Sequence, residues 1–146
     1  YKLLKGVLMI ENFGNIFYLI LFLINLLGLG FYAFITVINP KRVLTDYELD
    51  DSAIAPVRLI GTFVVPLLII GIYLLFRERG VEGAWIFFIT GFLISAFQLC
   101  LDICQRQKII DSNYKVVNKT SDTVVSIVFV ISNIILIYGL SDKIYL

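Results

Sequence analysis

Residues 59–76 read LIGTFVVPLLIIGIYLLF, a run with no charged side chain that lies between Arg58 and Arg77. A helix needs about 20 apolar residues to cross a hydrocarbon core that is about 30 Å thick. The run is close to that length, and lipid admits only helices or closed barrels as spanning structures. These residues therefore predict a transmembrane helix.

Three further apolar windows are as long or longer, and they cover residues 12–40, 83–101 and 123–141. Charged side chains separate the windows, and Asn39-Pro40 supplies a stop signal after the first. Four segments are too few to close a transmembrane barrel. We therefore predict an all-α, integral membrane four-helix bundle that forms a single domain over residues 1–146. Its helices are predicted to cover about residues 10–38, 58–78, 83–104 and 121–141.

Composition supports a membrane protein and excludes several functions. Hydrophobic residues make up 60% of the chain and charged residues 16%, whereas soluble domains are nearer one half and one quarter. The net charge is +1 without a basic run, so no nucleic-acid partner is predicted. The chain has no histidine, which removes imidazole ligands for haem or zinc. We predict no metal site and identify no cofactor.

Two cysteines, Cys100 and Cys104, lie four residues apart at the end of the third window. Their spacing fits neither a CxxC redox motif nor a disulfide framework. We interpret them as small apolar residues, which is the usual behaviour of free cysteine.

The connections between the windows differ in length. Residues 77–83 form a tight turn, so we expect helices two and three to be antiparallel neighbours. In the longer connection, Thr45 and Glu48 have the spacing of a capping box, which favours a short interfacial helix starting there. The chain opens at Tyr1 rather than at methionine, so we expect further residues to precede it.

Orientation depends on the lysines and arginines that flank the helices. One side of the membrane receives five of these residues and the other seven: Lys2, Lys5, Arg77, Arg79 and Lys143 against Lys41, Arg42, Arg58, Arg106, Lys108, Lys115 and Lys119. This bias favours a cytoplasmic location for the two longer loops.

Polar residues in the third window recur on one helical face. Gly91, Ser95, Gln98 and Asp102 follow steps of four, three and four. One interpretation is helix packing, in which small and hydrogen-bonding side chains join neighbouring helices. The other is a ligand pocket between helices one and three, with Asn25, Ser95 and Gln98 facing a lipid headgroup or a quinone. Both interpretations place Gln98 inside the bundle.

Arg58 and Asp102 mark the ends of helices two and three on the same side of the membrane. Both residues lie about 22 positions from the centre of the connecting turn, so about 1.5 Å per residue brings them to a similar height. A carboxylate at the edge of hydrocarbon strongly prefers a guanidinium partner. We predict a structural ion pair between them and no catalytic residue.

The order of these features resembles that of DoxX-like small four-helix membrane proteins. The resemblance rests on Pro40 after helix one, on Arg58 and Gly61 at the start of helix two, and on Asp102 near the end of helix three. It implies a four-helix bundle from a group whose members include an accessory subunit of a quinol oxidase. It carries over no catalytic residue.

These observations favour a non-catalytic accessory or structural subunit of a larger membrane complex, in a bacterial inner or an organellar membrane that transduces energy. Its expected partners are membrane lipids and other membrane subunits. The alternative is a small lipid- or quinone-binding membrane protein, or a transporter, that uses a polar pocket between helices one and three. A transporter usually needs a charged residue near mid-membrane, and none of the four windows supplies one.

Overall fold

The computed structural model describes residues 9–146, which are mainly helical and contain no strand. The elements are α1 (Ile16–Ala33) with a π-helical turn (Phe34–Ile38), α2 (Pro40–Tyr47), a 3₁₀ turn (Asp51–Ala53), α3 (Ile54–Phe76), α4 (Trp85–Arg106), α5 (Thr120–Gly139) and α6 (Ser141–Ile144). By length and composition, α1 with its π-helical turn, α3, α4 and α5 can each span a membrane. The predicted all-α, multi-pass membrane fold is confirmed.

The first spanning helix begins at Ile16, whereas the sequence predicted a start near residue 10. Residues 9–12 are helical but separate from α1, because the chain turns at Gly14, whose φ is +74°. Asn15 then caps α1, since its Oδ1 accepts a hydrogen bond from the Tyr18 amide at 3.0 Å. A capped start of this kind satisfies an amide that has no partner within the helix.

The short helix α2 ends where the sequence predicted a helix to begin. Pro40 occupies its first turn, where a fixed φ and a missing N–H are tolerated, and this sets the start of the helix. Glu48 adopts a left-handed conformation with φ 53° and terminates it. Thr45 donates from Oγ1 to the Lys41 carbonyl at 3.0 Å. The predicted capping box at Thr45 and Glu48 is therefore wrong.

The spanning helices pack in the order α3, α1, α5, α4, and α3 barely contacts α4. The two helices meet close to their connecting turn, where a Cβ on Gly71 would lie 3.2 Å from the Phe87 ring. Farther from the turn, Ile60 of α3 is 48% exposed and Ile94 of α4 is 52% exposed. The prediction that α3 and α4 are packed neighbours is wrong beyond the turn. We call the space between their diverging halves the wedge.

Glycines explain why α3 packs against α1 rather than against α4. A Cβ on Gly61 would overlap the Val37 side chain and approach Thr36, so the bare backbone of α3 lies against the π-helical turn. Thr36 is buried there, and its Oγ1 donates to the Tyr32 carbonyl at 2.8 Å. Close backbone approach at small residues is how membrane helices gain packing energy.

The apolar core lies at the end of the bundle that carries the short turn. We call this end, with residues 9–15, 77–84 and 140–146, the short-turn face. Aromatic rings dominate its centre: Phe22 lies 4.8 Å from Phe13 and 5.9 Å from Phe88, measured between ring centroids. The buried core residues are Phe13, Leu19, Phe22, Leu74, Leu75, Val81, Phe88, Leu136, Leu140 and Ile144.

The opposite end carries residues 39–53 and 107–119, and we call it the loop face. Fewer apolar side chains are buried toward this end, and they include Ala33, Leu44 and Val57. Polar contacts, such as those of Tyr47 with Asp122 and of Arg106 with Asp102, supplement apolar packing there. The two ends of the bundle are therefore held together by different forces.

We predict that Gly28→Ala destabilises the protein while Gly30→Ala does not. A Cβ on Gly28 would overlap the Phe129 ring, whereas a Cβ on Gly30 would meet Leu68 at an ordinary 3.7 Å. Overpacking costs about 1–3 kcal/mol, and both variants gain up to about 1 kcal/mol of helix propensity. Thermal unfolding in mild detergent measures the difference. Equal melting temperatures for the two variants would contradict the close approach of α1 and α5.

Candidate functional site

Three side chains form a hydrogen-bonded group inside the bundle, which we call the amide cluster: Asn25 of α1 with Ser132 and Asn133 of α5. The Asn25 amide donates from Nδ2 to Ser132 Oγ and, at 2.8 Å, to the Leu21 carbonyl. The Asn133 amide donates to Asn25 Oδ1 at 3.5 Å and to the Phe129 carbonyl at 2.8 Å. The cluster therefore joins α1 to α5.

The position of the amide cluster defines its role. At about 1.5 Å per residue, Asn25 and Asn133 lie within about 5 Å of the midpoints of their spanning segments. Neither amides nor hydroxyls titrate in the ordinary pH range, so the cluster has no group that exchanges protons. Ser132 and Asn133 are buried, and hydrogen bonding satisfies groups that would otherwise be costly in hydrocarbon. The arrangement can hold two helices in register.

The predicted pocket between the first and third spanning helices, which are α1 and α4, is not formed. Asn25 bonds to α5, and Ser95 uses its hydroxyl within α4, where Oγ donates to the Gly91 and Phe92 carbonyls at 3.0 Å each. Gly91 faces α5, because a Cβ there would lie 3.1 Å from Asn133 Oδ1. Asn25, Ser95 and Gln98 therefore do not converge on one space, and the predicted grouping is wrong.

Gln98 is exposed on α4, although the sequence predicted that it points into the bundle. Its side chain makes no hydrogen bond within residues 9–146. At about 100° per residue, Gln98 lies about 80° around α4 from the buried Phe88 and about 20° from Gly91. The polar face of α4 is only partly covered, since α5 packs against one of its flanks.

An open groove of about 630 Å³ runs along the exposed side of α4 and includes Gln98. Apolar side chains and the two cysteines supply most of its surface. Its lining residues are Thr90, Leu93, Ile94, Phe97, Gln98, Cys100, Leu101, Cys104 and Ile110. None of these residues carries a formal charge, so the groove suits an apolar occupant with one hydrogen-bonding group.

Asp102 pairs with Arg106 on its own helix rather than with Arg58. Arg106 Nε lies 3.0 Å from Asp102 Oδ2, and the Thr123 hydroxyl of α5 donates to the same oxygen. Arg106 also donates from Nη2 to the Lys119 carbonyl at 2.6 Å. Asp102 is only 8% exposed, and its carboxylate has one partner on α4 and one on α5.

The predicted pair of Arg58 and Asp102 is wrong because height alone does not bring two side chains together. Arg58 is exposed and takes part in no ion pair among the described residues. It lies about 160° around α3 from Leu74, which faces the core, at about 100° per residue. The signal that sequence reasoning missed is the spacing of Asp102 and Arg106, because residues four apart on a helix are neighbours.

At the loop face, the end of α2 is fastened to the segment that precedes α5. We call this contact, between residues 46–48 and 115–122, the clasp. Tyr47 donates from its hydroxyl to Asp122 Oδ2 at 2.6 Å. Lys119 pairs with Asp46 at 3.1 Å and lies 5.1 Å from the centre of the Tyr47 ring. The clasp connects two segments that are far apart in the sequence.

The clasp also shifts the protonation equilibria of its members. Burial, followed by the hydrogen bond to Asp122, raises the pKa of Tyr47 well above its usual value. An exposed pair extends the clasp, since the hydrogen bond and charge of Lys115 lower the pKa of Glu48, and Glu48 in turn raises the pKa of Lys115. Tyr47 therefore remains a neutral donor across the ordinary pH range.

Residues 9–146 contain no group of three or more His, Cys, Asp and Glu side chains that could hold a metal ion. Cys100 and Cys104 are both free thiols. At the loop face, Asp46 pairs with Arg42 and Lys119, and Glu48 pairs with Lys115.

Comparison with known proteins yields no relative. No protein family, no curated protein and no solved structure matches the chain. The resemblance to DoxX-like proteins therefore stays an interpretation of the sequence.

We predict that Arg106→Gln destabilises the protein and that Arg58→Gln has little effect. Removing Arg106 leaves the enclosed Asp102 carboxylate with one partner fewer, which costs about 1–3 kcal/mol. Arg58 is an exposed residue, and its replacement should change the free energy of unfolding by no more than about 0.5 kcal/mol. Unfolding by denaturant in mixed micelles measures both values. A larger loss of stability in Arg58→Gln than in Arg106→Gln would instead support the ion pair between Arg58 and Asp102 that the sequence predicted.

A double-mutant cycle tests the amide cluster. We expect the variants Asn25→Ala and Ser132→Ala to couple, because each removes one side of the same hydrogen bond. Measured couplings between membrane helices average about 0.6 kcal/mol and reach about 1.7 kcal/mol. Tyr73→Phe of α3 paired with Ser132→Ala supplies a control cycle, since Tyr73 is exposed on another helix. Additive effects in both cycles would show that the cluster does not join α1 to α5.

Proposed function

We propose that this chain is a non-catalytic structural subunit of a larger membrane complex and that it assembles through the exposed side of α4. The observation that carries the proposal is Gln98. Its amide is exposed about 4 Å from the midpoint of α4, at about 1.5 Å per residue, and it has no hydrogen-bond partner within residues 9–146.

The energetic argument concerns the environment of that amide. Moving an amide from water into hydrocarbon without a hydrogen-bond partner costs roughly 4–8 kcal/mol of free energy. Polar side chains in spanning helices therefore face other helices or a cavity. Because α3 diverges from α4 and α5 covers only one flank, a helix of another subunit is the natural source of a partner for Gln98.

The interior of the bundle supports a structural role. The polar groups of the amide cluster bond to one another and to main-chain carbonyls. Asp102 is engaged by Arg106 and Thr123. Within residues 9–146, no buried side-chain nitrogen or oxygen lacks a partner. Internal polar groups thus have partners within the bundle, whereas Gln98 is exposed.

The proposal extends to the type of membrane and to the partners of the chain. The resemblance to DoxX-like proteins, among them an accessory subunit of a quinol oxidase, favours an energy-transducing complex in a bacterial inner or an organellar membrane. Lipids and the spanning helices of other subunits would be the partners of α1, α3, α4 and α5.

The groove on α4 favours a second candidate, a protein that binds a lipid or a quinone. Its lining is apolar apart from a few groups such as Thr90 and Gln98, and an amide N–H can donate to a quinone carbonyl. This candidate requires an occupant that remains bound at the groove after purification. Ion-coupled transport receives less support, because no acidic or basic residue lies near the middle of the four spans.

Purification of the tagged chain from native membranes in mild detergent tests the proposal. We expect a stable complex that is larger than the chain, and we expect Gln98→Leu to weaken the recovery of its other components. Tyr73→Phe is the matched control, because it removes a polar group from the exposed face of α3. Recovery of a lone monomer would contradict the proposal. A monomer that retains a stoichiometric lipid or quinone would instead establish the second candidate.

A further inference from the structure

One stripe of α4 has the spacing of a helix-pairing surface, and we call it the α4 seam: Ile94, Gln98, Leu101 and Gln105. The first three are exposed, whereas Gln105 is half-buried and donates to Asp111 at 2.9 Å. Its members follow steps of four, three and four, which is the repeat of the contact positions in a coiled coil. Ile94 is 52% exposed and Leu101 is 45% exposed. The helix α3 makes few contacts with α4, and it leaves these two side chains uncovered.

We propose that the α4 seam binds the α4 seam of a second copy of this chain, with the two Gln98 side chains hydrogen-bonded across a two-fold axis along the membrane normal. This inference rests on the proposed function and names the first partner at the same surface. It accounts for a polar residue that the interior of the bundle does not use.

Complementarity of polar groups favours a second copy as the occupant. A glutamine amide carries both a donor and an acceptor, so two glutamines that face each other can exchange hydrogen bonds. The seam carries no formal charge, so pairing two copies buries no unbalanced charge. Lipid chains offer no donor or acceptor, and they would leave the amide without a partner.

Depth in the membrane gives the second argument. Copies of one chain insert with the same orientation, so every residue of the seam meets its counterpart at the same height. A single polar residue at a contact position of this repeat fixes register and number of helices. Gln98 occupies such a position, between the apolar residues Ile94 and Leu101.

The exposed seam residues leave this side of α4 accessible to a second helix. The helices α3 and α4 meet at Gly71 and Phe87, close to their turn, and have few contacts beyond it. A partner helix that crosses α4 near Gln98 would enter the wedge on the loop side of that contact.

Cysteine cross-linking in native membranes tests the inference. The test variant combines Leu101→Cys with Cys100→Ser and Cys104→Ser, which leaves one thiol on the seam. The control variant carries Cys104→Ser alone and keeps Cys100, which is also exposed. Cys100 is adjacent to Leu101 in depth but lies about 160° around the helix from Gln98, at about 100° per residue. We expect oxidation to give severalfold more disulfide-linked dimer with the test variant than with the control.

A second substitution isolates the role of the amide. Within the test variant, Gln98→Leu should strongly reduce the cross-linked dimer, while Gln98→Asn should retain most of it because the amide is kept. The monomer band in each lane shows that the variant is inserted. Equal cross-linking of test and control, no dimer from the test variant, or a dimer that is unchanged by Gln98→Leu would each overturn the inference.

The outcome is distinguishable from that of the proposed function. A complex that contains other subunits but yields no seam-specific dimer would remove the inference and leave the proposed function in place. A seam-specific dimer with no further subunit after mild extraction would support the inference and contradict the larger complex.

Discussion

The structure depends on the requirement that polar groups inside hydrocarbon find partners, because water is absent there. Main-chain groups meet it by forming helices, and the side chains within the spans meet it in three ways. Thr36 and Ser95 donate back to carbonyls of their own helix. The amide cluster joins α1 to α5. Asp102 recruits a guanidinium and a hydroxyl. These choices, together with the glycines, decide which helices become neighbours.

The two ends of the bundle illustrate different solutions to this requirement. Aromatic and aliphatic packing holds the short-turn face, where Phe22 and Phe88 are almost completely buried. The loop face relies on the clasp and on the enclosed Asp102, so electrostatic contacts replace packing there. The helix α3 packs against α1, and α4 packs against α5. The half of the bundle near the loop face therefore consists of two helix pairs, which α2 and the amide cluster connect. The wedge is the direct result of that division.

The fold class could be predicted because it depends on a property that the sequence displays without tertiary context. Runs such as residues 59–76 identify spanning helices by length and apolarity alone. Boundaries were harder, since the start of α1 depends on a local turn at Gly14 and a cap at Asn15. The contact partners of individual side chains were the hardest feature to predict. Arg58 and Asp102 share a height, but their separation depends on the rotation of each helix and on the divergence of α3, and neither quantity is encoded in spacing.

The same reasoning explains why the polar stripe of α4 was only partly understood from the sequence. Gly91, Gln98 and Asp102 share a face, and spacing correctly groups them, but a face has no meaning until its neighbours are known. Asp102 is covered because α5 and Arg106 lie beside it. Gln98 is exposed, and α3 makes few contacts with α4. A polar residue that the bundle leaves uncovered in this position is costly in hydrocarbon unless it finds a hydrogen-bond partner. The stripe is thus covered by α5 at Gly91 and at Asp102, and it is left exposed at Gln98 between them.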